Sequence, residues 1–229
     1  MKIGAVRMVV RERSLSLVRN RQHQPLASKF PFDLFCRADA PIWYSRNHAI
    51  YSEGDDAQYL YKVKSGCIRT LKVLGDGRRL IGSFYFPGDV FGFEYCEKYS
   101  LSAEAVTRCK LVAIKRKTAN RLAANSNVIS AQLLALTNLE MLRNQKHAFL
   151  LLKTAQERVV AFLLDVENLE PADGSIDLPM KRQDIADYLG LSIETVSRML
   201  QRIEATSAIS RPTIRCVKVC NREMLDRMN

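Results

Sequence analysis

Pro179-Met180-Lys181-Arg182-Gln183-Asp184-Ile185-Ala186-Asp187-Tyr188-Leu189-Gly190-Leu191-Ser192-Ile193-Glu194-Thr195-Val196-Ser197-Arg198-Met199-Leu200 is the stretch whose reading decides the fold. Ile185, Ala186 and Leu189 fall at helical spacing, Gly190 supplies a turn, and Val196, Met199 and Leu200 give a second helix its inward face. Ser192 fits an N-cap, because its hydroxyl can accept from a free amide of the first turn. Two short helices with a tight glycine-containing connection predict a helix-turn-helix. The second helix then presents Ile193, Glu194, Ser197 and Arg198 near its N-terminal end.

Those residue types suit the reading of bases. An arginine can donate two parallel hydrogen bonds to guanine O6 and N7, and a glutamate can accept from cytosine N4; each good contact discriminates by about 1–3 kcal/mol. The N-terminal part of a recognition helix is also the part that enters the major groove. The competing reading is an ordinary helical hairpin in which Glu194 and Arg198 form a surface ion pair, worth roughly 0.3–0.5 kcal/mol.

Outward from this motif, 229 residues with 47% apolar content suffice for at least one full core and allow one or two domains. A net charge of +11 points to a polyanionic partner, and charge alone does not separate nucleic acid from an anionic membrane surface. No run of about 18 apolar residues is present, which argues against a membrane-spanning helix. Cys36, Cys67, Cys96, Cys109, Cys216 and Cys220 are scattered and form no CxxC pair, which fits reduced thiols in a cytosolic protein. Cys216 and Cys220 lie in an alternating segment, about 13 Å apart by strand rise. His23, His48 and His147 are not placed to complete a metal site around them, so no metal is expected. No Ser-His-Asp, paired-carboxylate or P-loop spacing stands out, which argues against an enzyme.

In chain order, residues 1–29 carry seven Lys or Arg against the single acid Glu12, and read as a loosely attached basic arm. An organelle transit peptide has the same acid-poor, Arg-rich character. From 30 to 117, short apolar runs alternate with turn residues such as Glu53-Gly54-Asp55-Asp56, Gly75-Asp76-Gly77 and Pro87-Gly88-Asp89, predicting a β-sandwich, jelly roll or barrel. From 118 to 152 the period becomes helical with neither Gly nor Pro, and Ile129, Leu133, Leu136 and Leu139 keep three-or-four spacing. So long a helix predicts that part of its stripe meets a second copy, making a homodimer, unless it packs wholly on its own sheet. Glu140, Arg143 and Lys146 interrupt a strict heptad there. From 153 to 229, Thr154 and Glu157 form a capping box, and Cys216-Val217-Lys218-Val219 suggests the wing of a winged helix-turn-helix. The fold class is therefore α+β.

This order of parts resembles the Crp/Fnr family of bacterial transcription regulators over about residues 32 to 220. The resemblance is carried by Gly54-Asp55, Gly66, Phe86-Pro87-Gly88-Asp89-Val90-Phe91-Gly92, Thr154-Ala155-Gln156-Glu157-Arg158 and Glu194-Thr195-Val196-Ser197-Arg198. It is strongest to the Fnr branch, in which Glu-x-x-Ser-Arg reads a TTGAT-type half-site. The resemblance implies base contacts by Ile193, Glu194, Ser197 and Arg198, phosphate contacts by Arg182, Gln183 and Thr195, and activation through RNA polymerase. Double-stranded DNA and RNA polymerase are the implied partners, with no membrane.

The family's cyclic-nucleotide cassette has Arg-Ser where this chain has Leu101-Ser102, so the main charge partner of a phosphate is missing. Fnr's clustered N-terminal cysteines are missing before Cys36, and its internal cysteine corresponds to Val112. The resemblance therefore points to the FixK-type branch, which has no cofactor and serves low-oxygen respiration or nitrogen fixation. A regulator whose β-domain senses a ligand or redox state is the alternative. Relatives have Gly where Ser207 closes the last helix, and 210–215 lacks the usual wing-turn glycine, which leaves the wing geometry open.

Overall fold

The computed structural model describes residues 34–37, 40–167 and 175–229, with only the backbone at 36 and 37. The basic arm at 1–29, His23, the Cys36 side chain and the turn at 170–174 lie outside the described residues.

Eight strands build the N-terminal part: β1 (Ile42–Tyr44), β2 (Ala49–Tyr51), β3 (Tyr59–Ser65), β4 (Ile68–Val73), β5 (Arg79–Tyr85), β6 (Val90–Phe91), β7 (Ser102–Ala105) and β8 (Cys109–Lys115). They form two four-stranded sheets, ordered β1-β8-β3-β6 and β2-β7-β4-β5, with every pairing antiparallel. Alternation along β4 sends Ile68 inward and Arg69 and Leu71 to the opposite face. The interior is filled by rings: Tyr51 stacks on Tyr99 with centroids 3.6 Å apart, and Tyr61 stacks on Phe91 at 5.3 Å. The Phe86-Pro87-Gly88-Asp89 turn is closed by Asp89, whose carboxylate accepts from the Phe86 amide at 2.9 Å.

Two helices follow instead of one: α1 (Arg116–Ala124) and α2 (Asn127–Leu150). The break falls at Asn125 and Ser126, where the Ser126 hydroxyl caps α2 by accepting from the Ile129 amide. Neither glycine nor proline is needed to stop a helix when the next residue offers an N-cap oxygen.

The stripe expected to meet a second copy is divided by its packing: Ile129, Leu133 and Leu136 face the chain's own roll, whereas Leu139 is exposed. Ile129 and Leu136 are 5% and 8% exposed and sit in one cluster with Leu34, Leu60, Val90 and Ile114 of the chain's own β-roll, with Leu133 packed against it. The same inward face carries Gln132, which accepts from the Leu34 amide at 2.8 Å, and Glu140, which accepts from the Tyr85 hydroxyl at 2.7 Å. Arg143 reaches Asp89 at 2.8 Å and lies over the Tyr85 ring. Two of the charges that interrupt the stripe, Glu140 and Arg143, are therefore ties between α2 and its own roll, whereas Lys146 is exposed. The exposed stripe is a neighbouring one, Ala131, Leu134, Asn138, Met141, Gln145, Ala148 and Leu152, spaced alternately by three and four and free of charge.

The remainder is α3 (Ala155–Glu167), β9 (Ser175–Asp177), α4 (Arg182–Leu189), α5 (Ile193–Ala205), β10 (Ile209–Ser210), β11 (Cys216–Val219) and α6 (Arg222–Arg227). The capping box of α3 forms, with the Glu157 carboxylate accepting from the Thr154 amide at 2.8 Å. The sheet order β10-β11-β9 is antiparallel and carries the wing between β10 and β11. In place of a glycine, the Thr213 hydroxyl accepts from the Arg215 and Cys216 amides at 3.2 and 2.9 Å and turns the wing. Ser207 takes the left-handed conformation, φ 61°, that closes α5.

Candidate nucleic-acid interface

Helices α4 and α5 meet through Ile185, Ala186, Leu189, Val196, Leu200 and Ile203, all buried in the core they share with Val159, Val160 and Leu163 of α3. Gly190 makes the connection at φ 62°, a left-handed geometry that costs a side-chain-bearing residue about 1–2 kcal/mol. Ser192 caps α5, its hydroxyl accepting from the Thr195 amide at 3.2 Å. Arg158 braces the joint from behind: it donates to the carbonyls of Leu151, Lys153 and Leu189 at 2.7, 2.8 and 2.9 Å, tying the end of α2 to the end of α4.

On the outer face of α5, Glu194 and Arg198 are exposed and Ser197 is half-buried. Ile193 is also half-buried and packs partly on the core, so only part of its side chain is offered outward. Among the described residues no ion pair joins Glu194 to Arg198; Arg198 instead points at the Thr195 hydroxyl, 3.5 Å away. Hydrogen bonds from its own amide and from Ser192 hold the Glu194 carboxyl below the usual carboxylate range, and Arg198 adds a weaker pull. An ionised acceptor and a guanidinium therefore stand one turn apart on an open surface.

The residues expected at phosphates are each held by the chain. Arg182 donates to the Ile214 carbonyl at 2.8 Å, which ties the wing tip to the start of α4. Burial, with Arg211 nearby, pushes its guanidinium below the ordinary arginine value. Gln183 donates to Asp187 at 2.7 Å, and the Thr195 hydroxyl lies 3.1 Å from that of Ser192. Arg202, one turn beyond Arg198, and Arg215 in the wing are exposed cations that motif matching passed over. Their signal was spacing: Arg202 is four residues from Arg198, hence on the same helical face.

In the roll, Glu94 accepts from both the amide and the hydroxyl of Ser100, at 3.0 and 2.8 Å, and Arg116 donates to carbonyls of Ala57 and Glu94. His48 is exposed. Among the described residues no group of three His, Cys, Asp or Glu side chains could hold a metal ion. No helix among them is long and apolar enough to cross a membrane.

Comparison with known proteins gives two domain matches: the cyclic nucleotide-binding domain at residues 41–126 and the Crp-like helix-turn-helix domain at 157–228. The chain is 42% identical to the nitrogen fixation regulation protein FixK of Azorhizobium caulinodans, over 87% of this chain and 83% of that one. It is 38% identical to the protein of the same name from Rhizobium meliloti, over 80% and 83%. Among solved structures it is similar to FixK2 from Bradyrhizobium japonicum, with a TM-score of 0.80 and 37% identity, over 83% of this chain and 96% of that one.

Proposed function

The chain belongs to the Crp/Fnr family of transcription regulators, in its FixK type, and from that footing we propose that it binds an inverted TTGAT-N4-ATCAA-like site as a homodimer. It is a DNA-binding regulator and not an enzyme. In the proposed complex α5 enters the major groove by its N-terminal end. Arg198 donates to guanine, Glu194 accepts from cytosine, Ser197 bonds a neighbouring base edge, and the exposed part of Ile193 meets a thymine methyl. Gln183, Thr195, Arg202 and Arg215 flank this face and take phosphates. Arg182 contributes chiefly by holding the wing, with its remaining donors free for the backbone.

The observation that carries this reading is the open turn of α5 on which Glu194 and Arg198 are exposed without pairing to each other. The dimer seam is assigned to Leu134, Asn138, Met141, Gln145, Ala148 and Leu152, a charge-free heptad stripe that the roll leaves uncovered. Asn138 and Gln145 supply polar positions in this seam, and polar core positions specify register at a cost in stability. Bound in this way, the two rolls stand beside the DNA, the placement from which RNA polymerase is recruited. The proposed targets are genes for nitrogen fixation or low-oxygen respiration; the names of the FixK relatives, nitrogen fixation regulation proteins, support the first.

Titration of a TTGAT-N4-ATCAA duplex with parent and Arg198→Ala proteins tests the assignment. Loss of the guanine contact weakens binding by about 1–3 kcal/mol and relaxes preference at that position only. An Arg198→Ala protein that binds and discriminates as the parent does removes the proposed role. Affinity also falls steeply with salt as phosphate counterions are released.

A further inference from the structure

The outer face of β4 and β5 is not open to solvent; it is covered by the helix-turn-helix. Asp184, at the third position of α4, is 1% exposed. Its two carboxylate oxygens each take an arginine from a different strand: Oδ2 accepts from Arg69 of β4 at 2.9 Å, and Oδ1 accepts from Arg79 of β5 at 2.6 Å. Arg79 also grips Asp187, one turn further along α4, at 2.8 and 3.0 Å. Arg69 is held in turn by Glu104 of β7 at 2.6 Å.

Around this cluster the contact is apolar: Phe84 meets Tyr188 and Phe162, and Cys67, Leu71, Ile81 and Val106 of the roll join the core of the DNA-reading part. Apolar burial holds two bodies together without choosing an angle between them. Guanidinium-carboxylate pairs do choose one, because their hydrogen bonds are directional. Arg69 pairs in register with Phe84, whereas Arg79 pairs with Val73, so the two arginines start about 13 Å apart along the hairpin and converge on one carboxylate. A rotation of α4 about either arginine is resisted by the other.

We propose that Arg69 and Arg79 are positioning residues for DNA reading, which fix through Asp184 and Asp187 the angle between roll and reading head and thereby the half-site spacing a dimer accepts. This rests on the dimeric DNA-reading assignment above. Each base pair added between half-sites rotates one about 35° relative to the other, since the duplex turns once per 10–10.5 pairs. A rigid head tolerates one spacing; a loosened head tolerates several and binds each more weakly.

The test uses duplexes with TTGAT and ATCAA separated by three, four, five or six base pairs, together with one in which a half-site guanine is replaced. Full-length parent protein is compared with Arg79→Met and Arg79→Lys, the more exposed arginine being chosen because Arg69 is buried. The parent prefers one spacing by about tenfold or more. Arg79→Met reduces that preference to about threefold or less while still rejecting the replaced guanine, and Arg79→Lys retains part of it. Should Arg79→Met fail to fold by circular dichroism, Asp187→Asn breaks the same pair from the other side and carries the same expectation. An Arg79→Met or Asp187→Asn protein with the parent's spacing preference overturns the clamp and leaves the DNA-reading assignment standing. So does a parent protein that reads the half-sites at every spacing alike. A parent that does not distinguish any of these duplexes from a scrambled one overturns the assignment itself, and the clamp with it.

Discussion

The imidazole of His147 lies flat against the Tyr188 ring, centroids 4.3 Å apart and planes within 4°, while its Nε2 meets the Tyr188 carbonyl oxygen at 2.7 Å. Because that partner is a carbonyl, Nε2 carries a proton and donates it. The contact joins helix α2 to the helix-turn-helix at α4, beside the Asp184 cluster.

Burial lowers the His147 pKa from its ordinary value, against the opposing pull of the Tyr188 hydrogen bond. The folded chain therefore binds a proton less readily than the unfolded chain, whose histidine titrates near 6.5. Above about pH 6.5 both are neutral and nothing is lost; as pH falls below it the unfolded state alone gains the proton, and stability declines until the folded pKa is passed. Tyr188, pushed up to about 12, is silent in this window. Half-buried Glu140, whose pKa is raised by burial, titrates with the opposite sign. Urea unfolding at pH 7.5, 6.5 and 5.5 gives a decline that His147→Gln flattens, with Glu140 cancelling in the comparison. Equal slopes in the two proteins exclude this contribution.

Association and folding separate on α2. Leu134→Glu with Met141→Glu places charge in the exposed stripe, where the two residues are 62% and 57% exposed, and gives a monomer that melts much as the parent does once dimer dissociation is allowed for. Ile129→Ala and Leu136→Ala, by contrast, open cavities under the roll and cost about 2–5 kcal/mol each without changing the seam. Sedimentation velocity and urea unfolding on the same four-residue set check both halves. A Leu134→Glu, Met141→Glu protein that remains dimeric moves the seam elsewhere.

Two glycines and one serine calibrate backbone strain. At Gly77, φ 83°, a Cβ would meet open space, so Gly77→Ala costs about 1 kcal/mol from conformation alone. At Gly66, φ 88°, it would lie 2.6 Å from both the Arg108 carbonyl oxygen and Cys109 Sγ, so Gly66→Ala adds overpacking and costs about 3 kcal/mol or more. Ser207 already pays the left-handed cost, and Ser207→Gly gains about 1 kcal/mol. Urea midpoints should place Ser207→Gly above the parent, Gly77→Ala below it and Gly66→Ala lowest.

How far these features could be read from residue order differs by feature. The helix-turn-helix was legible because Gly190, Ser192 and the apolar spacing of 185–200 are local signals, and a local turn and cap need nothing from the rest of the chain. The two-sheet roll was legible from strands punctuated by glycine turns. The face of α2 was not, because that helix carries two stripes of three-or-four spacing, and periodicity cannot say which one meets a sheet far away in sequence. Glu140 and Arg143 held the answer, being partners of Tyr85 and Asp89 across about 54 residues. Arg69 and Arg79 look like solvent-facing charges in alternating strands; only the position of α4 over them makes them buried partners of Asp184. Sequence spacing carries no information about such a long-range covering.

The packed rings of the roll bear on how its output could be rewired. Where Tyr51 and Tyr99 lie face to face, the protein supplies its own aromatic filling. Paring one of them to alanine would leave a ring-shaped hollow, and apolar hollows of that kind take up small aromatic guests. Opening such a hollow by design is a direct route to a version of this regulator answerable to an added molecule.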